Sequence, residues 1–131
     1  PLFQHKERRV KMAAEKQFEN KVKRYLEERK AWFLKYWGGG GFTKSGIPDL
    51  LVCDRGVFMG IEVKAEGGSP SLLQLKHLSM IQEAGGYGIL LYPKDFEKFK
   101  EFNEHKSVLN AWYVSNIMEQ QHWKIKLGKG E

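Results

Sequence analysis

Cysteine is all but missing from this chain of 131 residues, with Cys53 the single example. No disulfide can close within the chain and no zinc site can be built on its thiolates, a pattern that fits a reducing compartment. Cys53 itself is expected to pack inside a strand. No apolar run approaches the roughly 18 residues that a membrane span requires. The basic, polar first residues also lack the apolar stretch of a secretory signal. The expectation is a soluble intracellular protein without membrane contact, cytoplasmic in a bacterium or phage-infected host, or nuclear in a eukaryote. Acidic residues are in deficit: 16 Asp and Glu face 22 Lys and Arg, giving a net charge of +6 and an isoelectric point near 9.4. Such a balance favours a polyanionic partner such as nucleic acid. With 41% hydrophobic and 29% charged residues the composition is globular, and the length suits one domain over 1–131.

What the chain does contain is concentrated between Ser45 and Lys64. Two apolar runs, Leu50-Leu51-Val52-Cys53 and Val57-Phe58-Met59, flank Asp54-Arg55-Gly56, which is a turn signal. The segment reads as an antiparallel hairpin entered through Pro48, a residue that cannot sit deep in a ladder. With Arg55-Gly56 as a two-residue loop, Asp54 pairs with Val57 and Asp49 falls opposite Glu62, their Cβ atoms about 5 Å apart. Lys64, two residues beyond Glu62, points the same way. A loop longer or shorter by one residue changes this pairing. Adjacent carboxylates repel each other. A divalent cation held by their oxygens relieves the repulsion, and Lys64 adds positive charge where a phosphate would dock. The plainer alternative is a solvated strand end whose Lys64 makes a surface ion pair.

Pro48-Asp49 followed by Glu62-Val63-Lys64 across a hairpin resembles the signature of the PD-(D/E)XK nuclease superfamily. The flanking Gly38-Gly39-Gly40-Gly41-Phe42-Thr43-Lys44-Ser45-Gly46-Ile47 and Gly67-Gly68-Ser69-Pro70-Ser71-Leu72-Leu73-Gln74 resemble its VRR-NUC branch, related to phage-type and archaeal Holliday-junction resolvases. The resemblance runs from roughly Glu15 to Pro93, and the bare D…ExK pattern is its least specific part. It implies an α/β fold, the αβββαβ restriction-endonuclease-like core, with a small mixed sheet flanked by helices. It also implies Mg²⁺-dependent hydrolysis of DNA phosphodiester bonds at Holliday junctions or other branched DNA, with Mn²⁺ as substitute and one or two ions per active site. Asp49, Glu62, Glu19 and the backbone carbonyl of Val63 would hold the metal, and Lys64 and Gln74 would complete the catalytic set. Relatives of this size cut junctions as homodimers, since two strands require two sites related by a two-fold axis. A flap or nicking nuclease is the neighbouring alternative. From another class, the alternative is a non-catalytic nucleic-acid-binding module of the same fold.

The remaining segments fit around this hairpin. Residues 1–12 are charged and mostly basic, either a peripheral arm or an extension of the first helix. From Ala13, Phe18, Val22, Tyr25 and Leu26 recur at helical spacing through about Lys30. Glu19 lies at the edge of that stripe. Its metal role follows from the resemblance, with Glu15 and Glu27 as competitors. Ala31-Trp32-Phe33-Leu34-Lys35-Tyr36-Trp37 reads as the first strand. The glycines Gly38 to Gly41 form a loop, either plainly flexible or, as the family implies, close to the site, so that Gly40 and Gly41 would meet DNA. Lys44 and Ser45, just ahead of Pro48-Asp49, are candidates for phosphate contacts.

Ser71 has the character of an N-cap for a helix carrying Leu72, Leu73, Leu75, Leu78 and Ile81 and ending near Ala84-Gly85-Gly86. Gln74, in its first turn, is expected to reach back toward Lys64. His77 reads more simply as a surface or packing residue than as a base. Tyr87 to Tyr92 is a strand buried on both faces. Phe96, Phe99 and Phe102 mark an amphipathic helix over Asp95 to His105. Residues 107–131 form a C-terminal extension whose role the sequence leaves open.

Overall fold

The computed structural model describes residues 2–38 and 44–106. The first helix, α1 (Leu2–Glu28), is unbroken because nothing between its ends is a glycine or proline. The charged residues 2–12 are therefore an extension of this helix, exposed along its length. Only its second half packs: Phe18, Glu19, Val22, Tyr25 and Leu26 are buried. The helix stops at Lys30, which takes a left-handed conformation at φ 59°. The amides of Lys30 and Ala31 close back onto the carbonyls of Glu27 and Leu26, at 2.9 and 3.1 Å. This is the Schellman pattern, with a lysine where glycine is usual.

Four strands follow in the spatial order β1 (Trp32–Lys35), β2 (Leu50–Asp54), β3 (Val57–Val63) and β4 (Tyr87–Leu91). The first three are antiparallel, and β4 runs parallel to β3 after a crossover through α2 (Leu72–Glu83). A short 3₁₀ turn (Pro93–Asp95) leads into α3 (Phe96–His105). The order is the expected αβββαβ arrangement, a mixed sheet flanked by helices. Buried side chains of β2 and β3, among them Leu50, Val52, Met59 and Ile61, join those of α1 and α3 in one core. Phe96 meets Phe18 and Tyr25 edge to face, with ring centroids 5.7 and 5.9 Å apart.

The hairpin has the expected register. Asp54 pairs with Val57 and Leu50 with Ile61, so one further step sets Asp49 across from Glu62. Both loop residues have positive φ, 53° for Arg55 and 83° for Gly56, the geometry of a type I′ turn that matches the twist of its strands.

Two expectations are corrected. Cys53 is exposed rather than packed, because β2 sends Leu50, Val52 and Asp54 inward and alternation turns Cys53 outward. Regular pairing in β1 covers Trp32–Lys35 instead of 31–37, although the Tyr36 amide still donates to the Asp49 carbonyl at 2.8 Å. In α2, Leu72 and Leu73 are exposed and only Leu78 is fully buried. The helix seats its middle on the sheet, where Gly88 lets it approach: a Cβ there would lie 2.1 Å from the Leu78 carbonyl oxygen.

Among the described residues no helix is long and apolar enough to cross a membrane.

Candidate active site

The open end of the hairpin collects carboxyl groups from three elements. Asp49 precedes β2, Glu62 lies near the end of β3, and Glu15 and Glu19 come from α1. Gly46 holds the approach to Asp49 against α2. Its φ is +82°, and a Cβ would fall 2.6 Å from Leu73 Cγ and 2.9 Å from the Leu73 carbonyl oxygen, a position that only glycine fills without strain. Pro48 then leads the chain into β2.

Asp49 Oδ2 accepts the backbone N–H of Val63 at 2.9 Å, which ties the two strand ends together. Asp49 Oδ1 and Glu19 Oε1 both accept from Lys35 Nζ, at 3.2 and 2.8 Å. Lys23 holds the other Glu19 oxygen at 3.2 Å. Glu62 is buried, 2% exposed, and only its Oε2 has a cation nearby, Lys64 Nζ at 3.6 Å. Its Oε1 has no hydrogen-bond donor among the described residues. An orphaned carboxylate oxygen in a protein interior costs free energy, on the order of 1–3 kcal/mol.

The titration of these groups follows from that geometry. Burial pushes Glu62 well above the usual carboxylate range, with the neighbouring Asp49 charge adding and Lys64 opposing. Glu15 is also raised by burial, with Asp49 and Glu19 adding, while Lys64 and the Ala65 amide oppose. For Glu19 burial acts upward too, but the hydrogen bonds and charges of Lys35 and Lys23 outweigh it and hold the carboxyl low. Lys35 is the reverse image: burial works to lower it, and Glu19 and Asp49 raise it.

The donor set suits a hard divalent cation. Its oxygens are carboxylates, and Glu62 Oε1 is a buried acceptor with nothing to accept among the described residues. Among the described residues, however, no three acidic or histidine side chains are already drawn around one point. The charge between Glu19 and Asp49 is supplied by Lys35.

Of the residues expected from sequence, Asp49, Glu62, Lys64 and Glu19 come together at this end of the sheet, and Val63 enters through its amide. Glu15 lies there as well, whereas Glu27 is exposed. Gln74 is engaged locally: its Oε1 accepts the Ser71 amide at 2.9 Å while Ser71 Oγ accepts the Gln74 amide at 3.1 Å. This reciprocal capping box starts α2, so the carbonyl end of Gln74 serves the helix rather than Lys64. Lys44 and Ser45 are exposed beside the site, with the Lys44 amide donating to Tyr36 Oη at 2.9 Å. Gly40 and Gly41 lie outside the described residues.

Lys35 is the residue that sequence reasoning misses. The signal was a cation at the end of an aromatic strand, and antiparallel pairing places it across from Leu50, beside Asp49.

No protein-family model matches the chain, and no curated protein matches it. Among solved structures the chain is similar to Hjc, a Holliday junction resolvase from the archaeal hyperthermophile Archaeoglobus fulgidus. The likeness has a TM-score of 0.45 and 19% identity over 60% of this chain and 69% of that one.

Proposed function

We propose that the chain is a metal-dependent endonuclease that hydrolyses DNA phosphodiester bonds, acting on Holliday junctions or other branched DNA as a homodimer. The observation that carries this reading is the buried Glu62, held beside Asp49 and Lys64 at the mouth of one hairpin with an oxygen left unsatisfied by the described residues. Among the described residues Lys64 is the one cation beside that charge, at 3.6 Å, whereas a divalent cation would offset both carboxylates at once. The signature residues Pro48-Asp49 and Glu62-Val63-Lys64 point the same way, and so does the net charge of +6.

Asp49, Glu62, Glu19 and the Val63 carbonyl would hold one or two Mg²⁺ or Mn²⁺ ions, with Glu15 at the rim. The bound metal would supply Lewis acidity, activating water at neutral pH and polarising the phosphate. Lys64 neutralises the charge that builds on the phosphate oxygens as the bond breaks, and its short tether to β3 fixes where that charge is met. The Val63 amide fixes Asp49 so that its carboxylate faces Glu62 across the strand ends. Gln74 contributes by setting the start of α2 beside the site. Lys44 and Ser45 are exposed just ahead of Asp49, where they would meet the phosphates of a bound strand; the resemblance gives Gly40 and Gly41 a DNA contact as well.

Incubating purified protein with labelled four-way junction, flap and linear duplex, in Mg²⁺, Mn²⁺ or EDTA, tests the reading. Junction cleavage in either metal and none in EDTA is the expected result. Cleavage of linear duplex alone removes the resolvase assignment, and metal-independent binding without products leaves a non-catalytic module.

A further inference from the structure

Lys35 has a geometry that a merely solvated lysine would not keep. Its side chain is 19% exposed, and its ammonium spans two carboxylates from different elements, Glu19 of α1 at 2.8 Å and Asp49 ahead of β2 at 3.2 Å. Those are two of the three side chains that the proposed function gives to a divalent cation. An ammonium and a metal ion cannot share the same oxygens at close range without strong repulsion, which at 4 Å is several kcal/mol even at the moderate dielectric of a protein surface. We infer that Lys35 is a built-in counter-ion. It holds Glu19 and Asp49 together while no metal is bound, and a divalent cation must displace it to enter.

This inference rests on the metal-site reading above and adds to it a competitor that sets the affinity. Two features support the exchange. Lys35 Nζ also lies 5.5 Å from the centroid of the exposed Trp37 ring, so a displaced ammonium retains a favourable cation–π neighbour. Glu19 keeps its second cation, Lys23 at 3.2 Å, so losing Lys35 does not leave that carboxylate bare. The device also has a stabilising role. Without Lys35, Asp49, Glu62, Glu19 and Glu15 would face one another with fewer positive partners among the described residues, only Lys64 and Lys23.

The test is Mn²⁺ binding by calorimetry to wild-type protein, Lys35→Met and Lys23→Met, with melting temperatures in EDTA and in Mn²⁺. Lys35→Met should bind Mn²⁺ about tenfold or more tightly. It should melt lower than wild type in EDTA and recover in Mn²⁺. Lys23→Met, at a lysine paired with Glu19 and with neither Asp49 nor Glu62 among the described residues, should change the affinity within about twofold. Should Lys35→Met fail to fold, the wild type provides its own readout. The side-chain ammonium resonance of Lys35, identified by its loss in Lys35→Arg, should exchange slowly without metal and broaden away as Mg²⁺ is added. Mn²⁺ bound by wild type but no more tightly by Lys35→Met, or an ammonium signal unmoved at saturating Mg²⁺, overturns the inference alone. No Mn²⁺ binding by wild type or variant overturns the metal-site reading together with it.

Discussion

The two ends of the β2–β3 hairpin each bury a carboxyl group, and they treat it in opposite ways. At the tip, Asp54 is fully buried and both its oxygens have donors. Arg55 reaches Oδ1 at 2.8 Å, while Arg29 at 3.0 Å, Asn103 at 2.8 Å and Lys106 at 3.4 Å converge on Oδ2. Burial acts to raise this carboxyl, but those partners overcome it and hold it down to about 2. At the open end, Glu62 is just as buried, yet it faces another carboxylate and has one oxygen with no donor among the described residues. The tip is a lock that joins the end of α1, the turn and α3. The open end is where the proposed cation would sit. A buried charge that is satisfied reports on stability, and one that is not reports on function.

The contrast can be broken first at the tip. Asp54→Ala leaves Arg29 and the nearly buried Lys106 uncompensated, and removing one partner of such a network costs about 3–5 kcal/mol. Urea unfolding should show that loss, against a small effect for exposed residues on the same hairpin such as Phe58. At the open end the large effect falls on rate instead. Lys64→Ala should lower junction cleavage by about 10²–10³-fold with a melting temperature close to wild type; cleavage at the wild-type rate would remove its assigned role.

Acid should separate the two ends next. Asp54 has its carboxyl held below the unfolded value, so its contribution is present above the ordinary carboxylate range and is lost as pH falls through about 2. That amounts to about 2 kcal/mol. Glu62 has the opposite sign: its carboxyl is raised, so the native state is favoured at low pH and loses stability as pH rises past the usual carboxylate range. Melting temperatures measured from about pH 2 to about pH 9 should therefore fall at both extremes. Asp54→Asn should flatten the acid side alone and Glu62→Gln the alkaline side alone. The smallest expected effect is at the cap: Ser71→Ala removes one half of the reciprocal pair with Gln74 and should cost about 1 kcal/mol.

How much of this was legible in the sequence follows from how local each cause is. The hairpin register could be read because Arg55-Gly56 supplies the two positive-φ residues of its turn, and alternation then carries Asp49 to Glu62 without further information. The αβββαβ order was likewise legible in periodicity and glycine stops. Asp54 shows the limit. In sequence it is a turn residue, and its real role depends on Arg29, Asn103 and Lys106, which only the packing of α1 and α3 brings near. Lys35 was hidden for the same reason, since Glu19 reaches it from a helix and Asp49 from 14 positions further along the chain. Cys53 was misread because a strand buried on one side looks, in composition, like one buried on both. Gln74 was read for chemistry when the Ser71-Leu72-Leu73-Gln74 spacing already spelled a cap.

The most direct measurement pairs activity with stability in Glu62→Gln, which removes the buried charge and keeps the shape. The account expects junction cleavage in Mg²⁺ to vanish while the melting temperature, taken above neutral pH in EDTA, rises above that of wild type. Cleavage that persists, or a variant that melts lower, would contradict the claim that this end of the hairpin gives up stability to hold a cation against a phosphate.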